Sequence, residues 1–550
     1  MSIDVSSRLP VAVRAGALAR RAPAWTITAV LGLCYVVAAP SSADLAAASY
    51  RADLFGRVGF TLWDNGWYGG HHLPAYSVLA PVLGWLIGPL ALAAVSMTIA
   101  AALFSALIDG RFSAPAVRIA GAWFARGAAI GLLASRVPFD LGLAIGLSSL
   151  VLAQRGRRAP ALALAAVCAL TSPVAGAFLA LAALAWALAD RRRRFPPMLV
   201  AAALLPIAAI TLAFPEGGSQ PFVASAFYPD LAAVLVVAAL IGPGRGVLRI
   251  GVLLYAAAVF GCYVIPTAVG GNVDRLGALV AGPIAACVLG GSTLRNRRLL
   301  IVLAPFLFYW QANAPVADYL SAATDPAVHA SYYAPLLGEL ETLGIGYSAR
   351  PARIEVVPTR DHWEARFIAP HVAIARGWER QLDTHRNGLF YAGAPLTAAR
   401  YRAWLSENAI SYVALSNAPL DYSAVAEARL LRGTSLRVSA AQPRGGVALR
   451  EVWRSEHWRL FAVLGARPLA EAPAVLSQLG SDSFTLSAPA AGRYEARVRF
   501  TGYWALSRGR GCVREAPGGW TEVDASRAGS LHVVISFSLA RVFAHGPRCR

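Results

Sequence analysis

The chain has 550 residues, of which 57% are hydrophobic and only 15% are charged, well below the roughly 25% of charged residues in an average soluble domain. The formal net charge is +20 and the sequence contains no lysine, which together with abundant Ala and Gly is typical of a GC-rich bacterial genome. Much of the arginine stands in short segments between apolar blocks, where it sets membrane topology. Composition therefore excludes a single soluble domain and argues against nucleic-acid binding.

The first part of the chain predicts a cytoplasmic N-terminus (1–22) followed by a transmembrane domain (23–314). Arginines precede the first apolar segment and place the N-terminus inside the cell. Because many apolar segments follow, this segment is an uncleaved helix rather than a signal peptide. The loops predicted to lie inside carry arginine, and the alternation predicts about eleven membrane segments. A break at Thr171–Pro173 should divide the block 159–189 into two short helices.

The region after residue 314 predicts two units on the outer side of a bacterial plasma membrane. Residues 315–469 combine strand patterns with an amphipathic helix and indicate a mixed α/β domain. Residues 470–550 alternate strands with Gly and Pro turns and indicate a β-sandwich-like domain. Cys512 and Cys549 suggest a disulfide, which requires an oxidising compartment. The expected fold class is a polytopic α-helical membrane protein with a C-terminal extracytoplasmic α/β plus β-sandwich region.

The outer loop 41–73 is the first candidate for a functional site, because long ordered loops are usually functional. Asp44 follows the first membrane segment and should lie at the outer surface. Its carboxylate could act as a general base toward a sugar hydroxyl, or hold a divalent cation such as Mg²⁺ or Mn²⁺ against a lipid-linked phosphate. The alternative is a solvated residue or a helix N-cap. Asp64 is a second candidate catalytic carboxylate.

Aromatic and histidine side chains surround Asp64 in this loop. The rings of Trp63, Trp67 and Tyr68 could stack on a sugar, or could rest at the level of the lipid headgroups. One of the adjacent histidines, His71 and His72, could contact a phosphate or a hydroxyl. The alternative for the histidines is a structural role at the entry to the helix that follows.

A second outer loop, 267–275, carries Asn272 and Arg275 where a helix re-enters the membrane. Arginine suits a phosphate because its planar fork matches the phosphate oxygens. The alternative is an arginine whose side chain extends to the membrane interface. In the C-terminal region, the segment 375–391 is dense in His, Trp, Arg and Asp. It could cover the active site or bind an acceptor glycan, or it could be the hydrogen-bonded surface of a packed domain.

The arrangement resembles the GT-C superfamily of integral-membrane glycosyltransferases. The residues that carry the resemblance are Asp44 with Tyr50 and Arg51, the aromatic stretch 60–68, and HHLPAYSVLAP (71–81), which is also similar to actinobacterial multipass proteins. The pair of adjacent acids found in many members is absent. The resemblance implies a polyprenyl-phosphate sugar as donor and an envelope glycan or lipid as acceptor.

In this reading, the resemblance also assigns roles to individual residues. A base deprotonates the acceptor hydroxyl, which displaces the lipid phosphate with inversion. Tyr50 and Arg51 join the residues that bind substrate, and Arg275 or a neighbour holds the phosphate.

Two other functions are compatible with the sequence. A transporter or flippase of an envelope precursor could use the broken block 159–189 as a substrate pathway. A non-catalytic envelope-assembly protein would use its C-terminal region to bind a glycan or a partner. Asp44 distinguishes these possible functions, since only a glycosyltransferase requires a carboxylate in a lipid-accessible groove near the outer surface. A polar cavity that passes through the membrane region would instead favour transport.

Overall fold

The computed structural model of the chain describes residues 22–242, 244–291, 293–347, 350–436 and 447–543. Its first part is helical, as the apolar composition requires. The helices, labelled in chain order, are α1 Trp25–Ala38, α2 Ala43–Val58, α3 Ala80–Ile87, α4 Pro89–Ile108, α5 Ala114–Gly131, α6 Val137–Gln154, α7 Arg158–Thr171, α8 Pro173–Ala189, α9 Phe195–Ala213, α10 Ala224–Leu240, α11 Gly246–Val264, α12 Asp274–Leu289 and α13 Leu294–Ala323.

Among the described residues, seven helices are long and apolar enough to cross a membrane, or up to eight if α1 and α2, bent by 75°, form one span. Helices α7, α8 and α10 are apolar but shorter. The chain is therefore a multipass membrane protein, as predicted, but the count of about eleven segments is not confirmed. The break between α7 and α8 falls at the predicted position, where Ser172 caps α8 and Pro173 begins it. Helix α13 continues to Ala323, past the boundary at 314.

The predicted loop 41–73 is helical in its first half, because α2 occupies much of it. Its sequence is rich in alanine, and the buried residues Ala47, Tyr50 and Leu54 recur on one face with the helical spacing i, i+3, i+7. Asp44 lies in the first turn and Arg57 in the last, which complements the helix dipole at both ends. The sequence analysis missed this periodicity because the segment also carries several charged residues.

The mixed α/β prediction is confirmed by a five-stranded sheet. The strands are β3 Arg353–Val356, β4 Ala373–Ile374, β5 Ile410–Ser416, β6 Ala448–Arg454 and β7 Trp458–Leu464, in the order β4-β3-β5-β7-β6. Strand β3 is parallel to β4 and β5, while β7 is antiparallel to its neighbours. The accompanying helices are α14 Ala330–Thr342, α15 Glu364–Phe367, α16 Arg380–Arg386, α17 Ala398–Glu407 and α18 Val425–Arg432.

The last region is strand-rich, in agreement with the predicted β-sandwich. Its strands are β8 Val475–Leu479, β9 Ser483–Ala488, β10 Gly492–Arg499, β11 Trp504–Arg508, β12 Gly511–Ala516, β13 Trp520–Ala525 and β14 Gly529–Ile535, followed by α19 Leu539–Phe543. They form sheets in the orders β10-β13-β12 and β11-β14-β9-β8. Inward-facing Phe484, Trp504 and Val533 share one core. Cys512 lies on β12, whereas Cys549 is outside the described residues, so the disulfide stays a prediction.

A short segment of the outer loop joins the two parts of the molecule. Strands β1 Trp63–Asp64 and β2 His71–His72 pair in antiparallel register. The turn between them adds to the exposed edge of the five-stranded sheet, because Trp67 bridges Ile374 on β4 and the Ile374 N–H donates to the Gly66 carbonyl at 2.9 Å. The outer loop is thus anchored to the C-terminal region through its backbone.

Candidate active site

A cluster of charged side chains lies where several membrane helices begin or end. Asp44 Oδ2 is 3.8 Å from Arg136 Nε and 3.8 Å from Arg275 Nη2. Arg136 Nη2 is also 4.0 Å from Asp318 Oδ2. The Asp44 and Asp318 side chains are 31% and 47% exposed, so solvent or a substrate can reach both carboxylates. We call these four residues the Asp44 cluster.

Helix geometry brings the Asp44 cluster together from distant parts of the sequence. Asp44 and Arg275 lie in the first turns of α2 and α12, and Arg136 is the residue that precedes α6. Three helix N-termini therefore meet at one place, where their unpaired N–H groups and dipoles favour negative charge. Asp318 comes from the last turns of α13. The arrangement combines positive potential for an anion with two carboxylates that can accept a proton.

An apolar cavity of about 310 Å³ adjoins this cluster inside the helical region. Its lining includes Phe104, Leu147, Val237 and Phe139 and is almost entirely apolar. Phe139 links the cavity to the charges, because the Arg275 guanidinium lies over its ring at 5.5 Å. A ligand with a hydrocarbon tail and an anionic head would match this pairing of cavity and arginines.

The polar groups at the end of this cavity are held by a tryptophan. Trp310 lines the cavity, and its Nε1–H donates to Asp230 Oδ1 at 2.8 Å and to Asp274 Oδ1 at 2.9 Å. Asp274 immediately precedes Arg275, so this contact fixes the start of α12. Tyr255 contributes as well, since its hydroxyl donates to the Val273 carbonyl at 2.8 Å. These contacts position the arginine.

The segment 375–391 of the C-terminal region lies close to Asp44. Trp378 Nε1–H donates at 2.7 Å to the carbonyl of Ala43, the residue before Asp44. Arg51 Nη2 pairs with Glu379 Oε2 at 2.8 Å, and both side chains are almost fully buried. Burial raises the pKa of Glu379 to about 7 in spite of the Arg51 charge. Arg51 therefore serves in this structure as a tie between the two parts of the molecule.

Asp64 has a different environment from Asp44. It is completely buried and accepts hydrogen bonds at 2.9 Å from the Tyr50 hydroxyl and at 2.9 Å from the Gly66 N–H. Burial raises the pKa of Asp64 to about 6, although these two hydrogen bonds oppose the shift. Its oxygens are used inside the protein, so the structure does not bring Asp64 into the Asp44 cluster.

The aromatic residues predicted to bind sugar are also buried. Trp63, Trp67 and Tyr68 are at most 2% exposed. Trp67 stacks on Tyr50 with ring centroids 4.4 Å apart, and the Tyr68 hydroxyl donates to the Glu379 carbonyl at 3.2 Å. No ring of this group offers a free face to a sugar in this structure. Their contacts favour the packing of the outer loop against the C-terminal region, and sugar binding by these rings stays an untested prediction.

The two histidines lie apart from the Asp44 cluster and have different partners. His71 is completely buried, and burial lowers its pKa to about 3. His72 Nδ1 is 2.7 Å from Glu216 Oε1, and its Nε2 is 2.9 Å from the Thr501 hydroxyl. Glu216 also pairs with Arg386 at 2.8 Å. These contacts make the histidines part of the junction between the two regions.

Arg275 is the predicted substrate residue that the structure brings to Asp44. Asn272 lies partly buried in the 3₁₀ turn Gly270–Val273 just before α12. Sequence reasoning missed Arg136 and Asp318. Arg136 could have been found because the alternation of membrane segments places the turn around it on the outer side, where arginine is less expected. Asp318 gave no such signal, since it follows the assumed end of the last membrane segment.

Among the described residues, no group of three or more His, Cys, Asp or Glu side chains is arranged to hold a metal ion. The two carboxylates of the Asp44 cluster are each beside an arginine instead. The positive charge in this cluster is thus supplied by the chain itself.

The helices, the sheet and this cluster together define a multipass membrane protein with a charged site at one end of its helical region. No protein family matches the sequence, and no curated protein matches it. The structure is similar to that of arabinofuranosyltransferase AftD from Mycobacteria, with a TM-score of 0.45, 16% identity, and coverage of 85% of this chain and 41% of that chain. A mutant form of AftD gives a TM-score of 0.40, 17% identity, and coverage of 81% and 40%.

The chain thus spans about two fifths of the length of the AftD structures that it matches. The activity proposed below rests on the contacts of this chain.

Proposed function

We propose that this protein is a membrane glycosyltransferase that takes a sugar from a polyprenyl-phosphate donor and transfers it to a cell-envelope glycan or lipid. The observation that carries the proposal is the Asp44 cluster at the end of the apolar cavity. A reachable carboxylate lies between two guanidinium groups from separate helices, and one of those groups covers a ring that lines the cavity.

The donor fits this arrangement in two parts. The cavity receives hydrocarbon, because burying the prenyl chain beside Phe139 and its apolar neighbours removes it from water. Arg136 and Arg275 face the phosphate, whose oxygens match the planar fork of arginine. The helix N-termini at this place add to the positive potential. The sugar then lies beside Asp44, between the membrane helices and Trp378.

The reaction requires one base and one stabilised leaving group. Asp44 takes the proton from the acceptor hydroxyl, and the acceptor oxygen forms a bond to the anomeric carbon from the face opposite the phosphate. The bond between that carbon and the phosphate oxygen breaks with its electrons remaining on the phosphate. The two arginines stabilise the negative charge that develops there. The products are the glycosylated acceptor with inverted configuration and the free lipid phosphate.

The cavity also bears on the transporter alternative. A carrier for a polar sugar would need a polar path across the helical region, whereas this cavity is lined almost entirely by apolar side chains. The orientation with the C-terminal region outside the cell is part of the proposal.

A transfer assay with purified protein tests the proposal. The wild type, Asp44→Asn and Asp53→Asn are each given polyprenyl-phosphate arabinofuranose, mannose and glucose with an envelope glycan extract, and lipid phosphate release is measured. Asp53 is a matched control because it lies on the same helix with a 45% exposed side chain that pairs with Arg366. We expect release by the wild type and the control, and a loss of about 10³-fold in Asp44→Asn. Equal release by Asp44→Asn would contradict the assignment of the base.

A further inference from the structure

The surface next to Asp44 is formed by a stack of flat side chains from the C-terminal region. Trp378 is the first member, and it is fixed above α2 by the 2.7 Å hydrogen bond from its Nε1–H to the Ala43 carbonyl. The stack therefore begins one residue from the proposed base.

The stack has a regular order. The rings of His362 and Trp378 are parallel, with centroids 3.8 Å apart and an interplanar angle of 6°. Arg380 Cζ lies 4.9 Å from the Trp378 centroid and 4.8 Å from the Tyr422 centroid, and its Nη2 is 3.4 Å from His362 Nε2. Tyr391 supports the arginine, since Arg380 Nη1–H donates to its hydroxyl at 2.9 Å. The layers hold Tyr422 in a defined position at the outer end.

The charges within the stack are already paired. Arg380 donates to Asp421 through both Nη groups, at 3.0 and 2.6 Å. His362 lies between Asp421 at 3.3 Å and Glu364 at 3.3 Å. The Arg380 guanidinium is thus paired with Asp421 and is not left over to hold a phosphate or a carboxylate ligand, and His362 lies between two carboxylates. The stack differs in this respect from Arg136 and Arg275, which lie at 3.8–4.0 Å from their partners.

Tyr422 leaves most of its ring in solvent. Its exposed fraction is 62%, although the ring is positioned by Arg380 beneath it. A rigid exposed ring loses little conformational entropy when a ligand covers it. Its flat apolar face with a polar hydroxyl at the edge matches a sugar, which has C–H groups on one face and hydroxyls around its rim.

We propose that Tyr422, with the Arg380–Trp378 stack beneath it, is the binding site for a neutral sugar chain of the acceptor. This inference rests on the proposed function. It specifies where the acceptor binds and that the bound part of the acceptor is uncharged. A sugar some distance along the chain from the reacting hydroxyl covers Tyr422, while Trp378, stacked on His362, supports the site from beneath. Neutral chains are favoured because Arg380 and His362 already have Asp421 and Glu364 as partners.

A binding measurement on the full-length protein in detergent tests this site. The probes are arabinan, mannan and glucan tetrasaccharides, with a tetragalacturonate as the acidic comparison, and binding is followed by saturation-transfer NMR. The variants are Tyr422→Ala and Tyr422→Phe, and the control is Val475→Ala, which truncates a 60% exposed side chain on the β-sandwich. Because Tyr422 is exposed, Tyr422→Ala should fold like the wild type.

We expect at least one neutral tetrasaccharide to bind more tightly than the acidic one. Its Kd should rise about tenfold in Tyr422→Ala and stay within about twofold in Tyr422→Phe, which keeps the ring. Val475→Ala should bind as the wild type does. Unchanged binding by Tyr422→Ala, tighter binding of the acidic probe, or no binding of any neutral probe would overturn the proposal.

The transfer assay separates this proposal from the proposed function. If Asp44→Asn loses transfer while Tyr422→Ala binds the neutral probe like the wild type, only the acceptor site is wrong. If Asp44→Asn keeps full transfer, the proposed catalytic role fails whatever Tyr422 does. When both are right, Asp44→Asn still binds the tetrasaccharide, and Tyr422→Ala raises the acceptor KM more than it lowers kcat.

Discussion

Two aspartates of one short stretch have opposite environments in this protein. Asp44 is 31% exposed and lies between Arg136 and Arg275, and Arg275 covers Phe139, which lines the apolar cavity. Asp64 is completely buried and has its oxygens occupied by Tyr50 and Gly66. The comparison shows that a carboxylate is not catalytic merely because it lies in a loop rich in aromatic residues. What separates the two is access and the charge of the neighbours.

The largest effect is expected from removing the positive charges of the Asp44 cluster. The double variant Arg136→Gln/Arg275→Gln should lower donor turnover about 10³-fold, close to 4 kcal/mol, because the leaving phosphate loses both of its charge-assisted contacts. Turnover is measured as lipid phosphate release. Arg155→Gln is the control, since it removes an exposed arginine after α6. Turnover within tenfold of the wild type would show that the phosphate lies elsewhere.

The second prediction concerns the buried junction. Glu216→Gln breaks the contacts with His72 and Arg386 and should lower the free energy of unfolding by about 3 kcal/mol at pH 7, because it leaves a partly buried arginine without this partner. The measurement is thermal unfolding in detergent, with the exposed residue Glu341 changed to Gln as the control. A similar midpoint for both variants would mean that the junction does not depend on this carboxylate.

The same variant has a defined pH dependence. Burial alone would raise the Glu216 pKa, but the hydrogen bond from His72 and the charge of Arg386 outweigh it and lower the pKa to about 2 from 4.5. A lowered carboxylate pKa stabilises the fold above the unfolded value and loses this effect as pH falls toward the folded value. The loss in unfolding free energy caused by Glu216→Gln should therefore be constant from pH 6 to 8 and become smaller below pH 4.5.

The smallest expected effect belongs to Asp64. Its raised pKa means that the folded protein holds this proton more tightly than the unfolded chain, so its contribution to stability falls as pH rises from about 4 to 6. Asp64→Asn keeps an acceptor for the Gly66 N–H and carries no charge. We expect a stability change within about 1 kcal/mol at pH 7 and a flatter pH profile between pH 4 and 6. A large loss of transfer with unchanged stability would instead give Asp64 a chemical role.

Much of the fold follows from sequence patterns, and the site follows only in part. Apolar blocks and the break at Pro173 predict helices because each reflects a local requirement of the backbone in a membrane. The position after the first helix singled out Asp44, and a loop position singled out Arg275. Their contact could not be predicted, since it depends on how α2, α6 and α12 pack.

The burial of the other predicted site residues could not be read from the sequence for a common physical reason. Trp63, Trp67 and the two histidines are residue types that serve either in chemistry or in packing, and the sequence does not show which neighbours surround them. They are buried because the outer loop pairs with β4 and packs against the helix that precedes it. These contacts join residues about 300 positions apart: the hydrogen bond from Trp67 to Ala365, for example, spans 298 residues. Contacts at such separations leave no periodic signal in a single sequence.

The most direct test of the central claim compares the two aspartates in cells. A strain that lacks the protein is given the wild type, Asp44→Asn or Asp64→Asn at matched protein level, and the envelope glycans are profiled. We predict that the wild type and Asp64→Asn restore the glycan lost in the deletion, and that Asp44→Asn does not. Restoration by Asp44→Asn, with failure of Asp64→Asn at a normal protein level, would contradict the assignment of the active site to the Asp44 cluster.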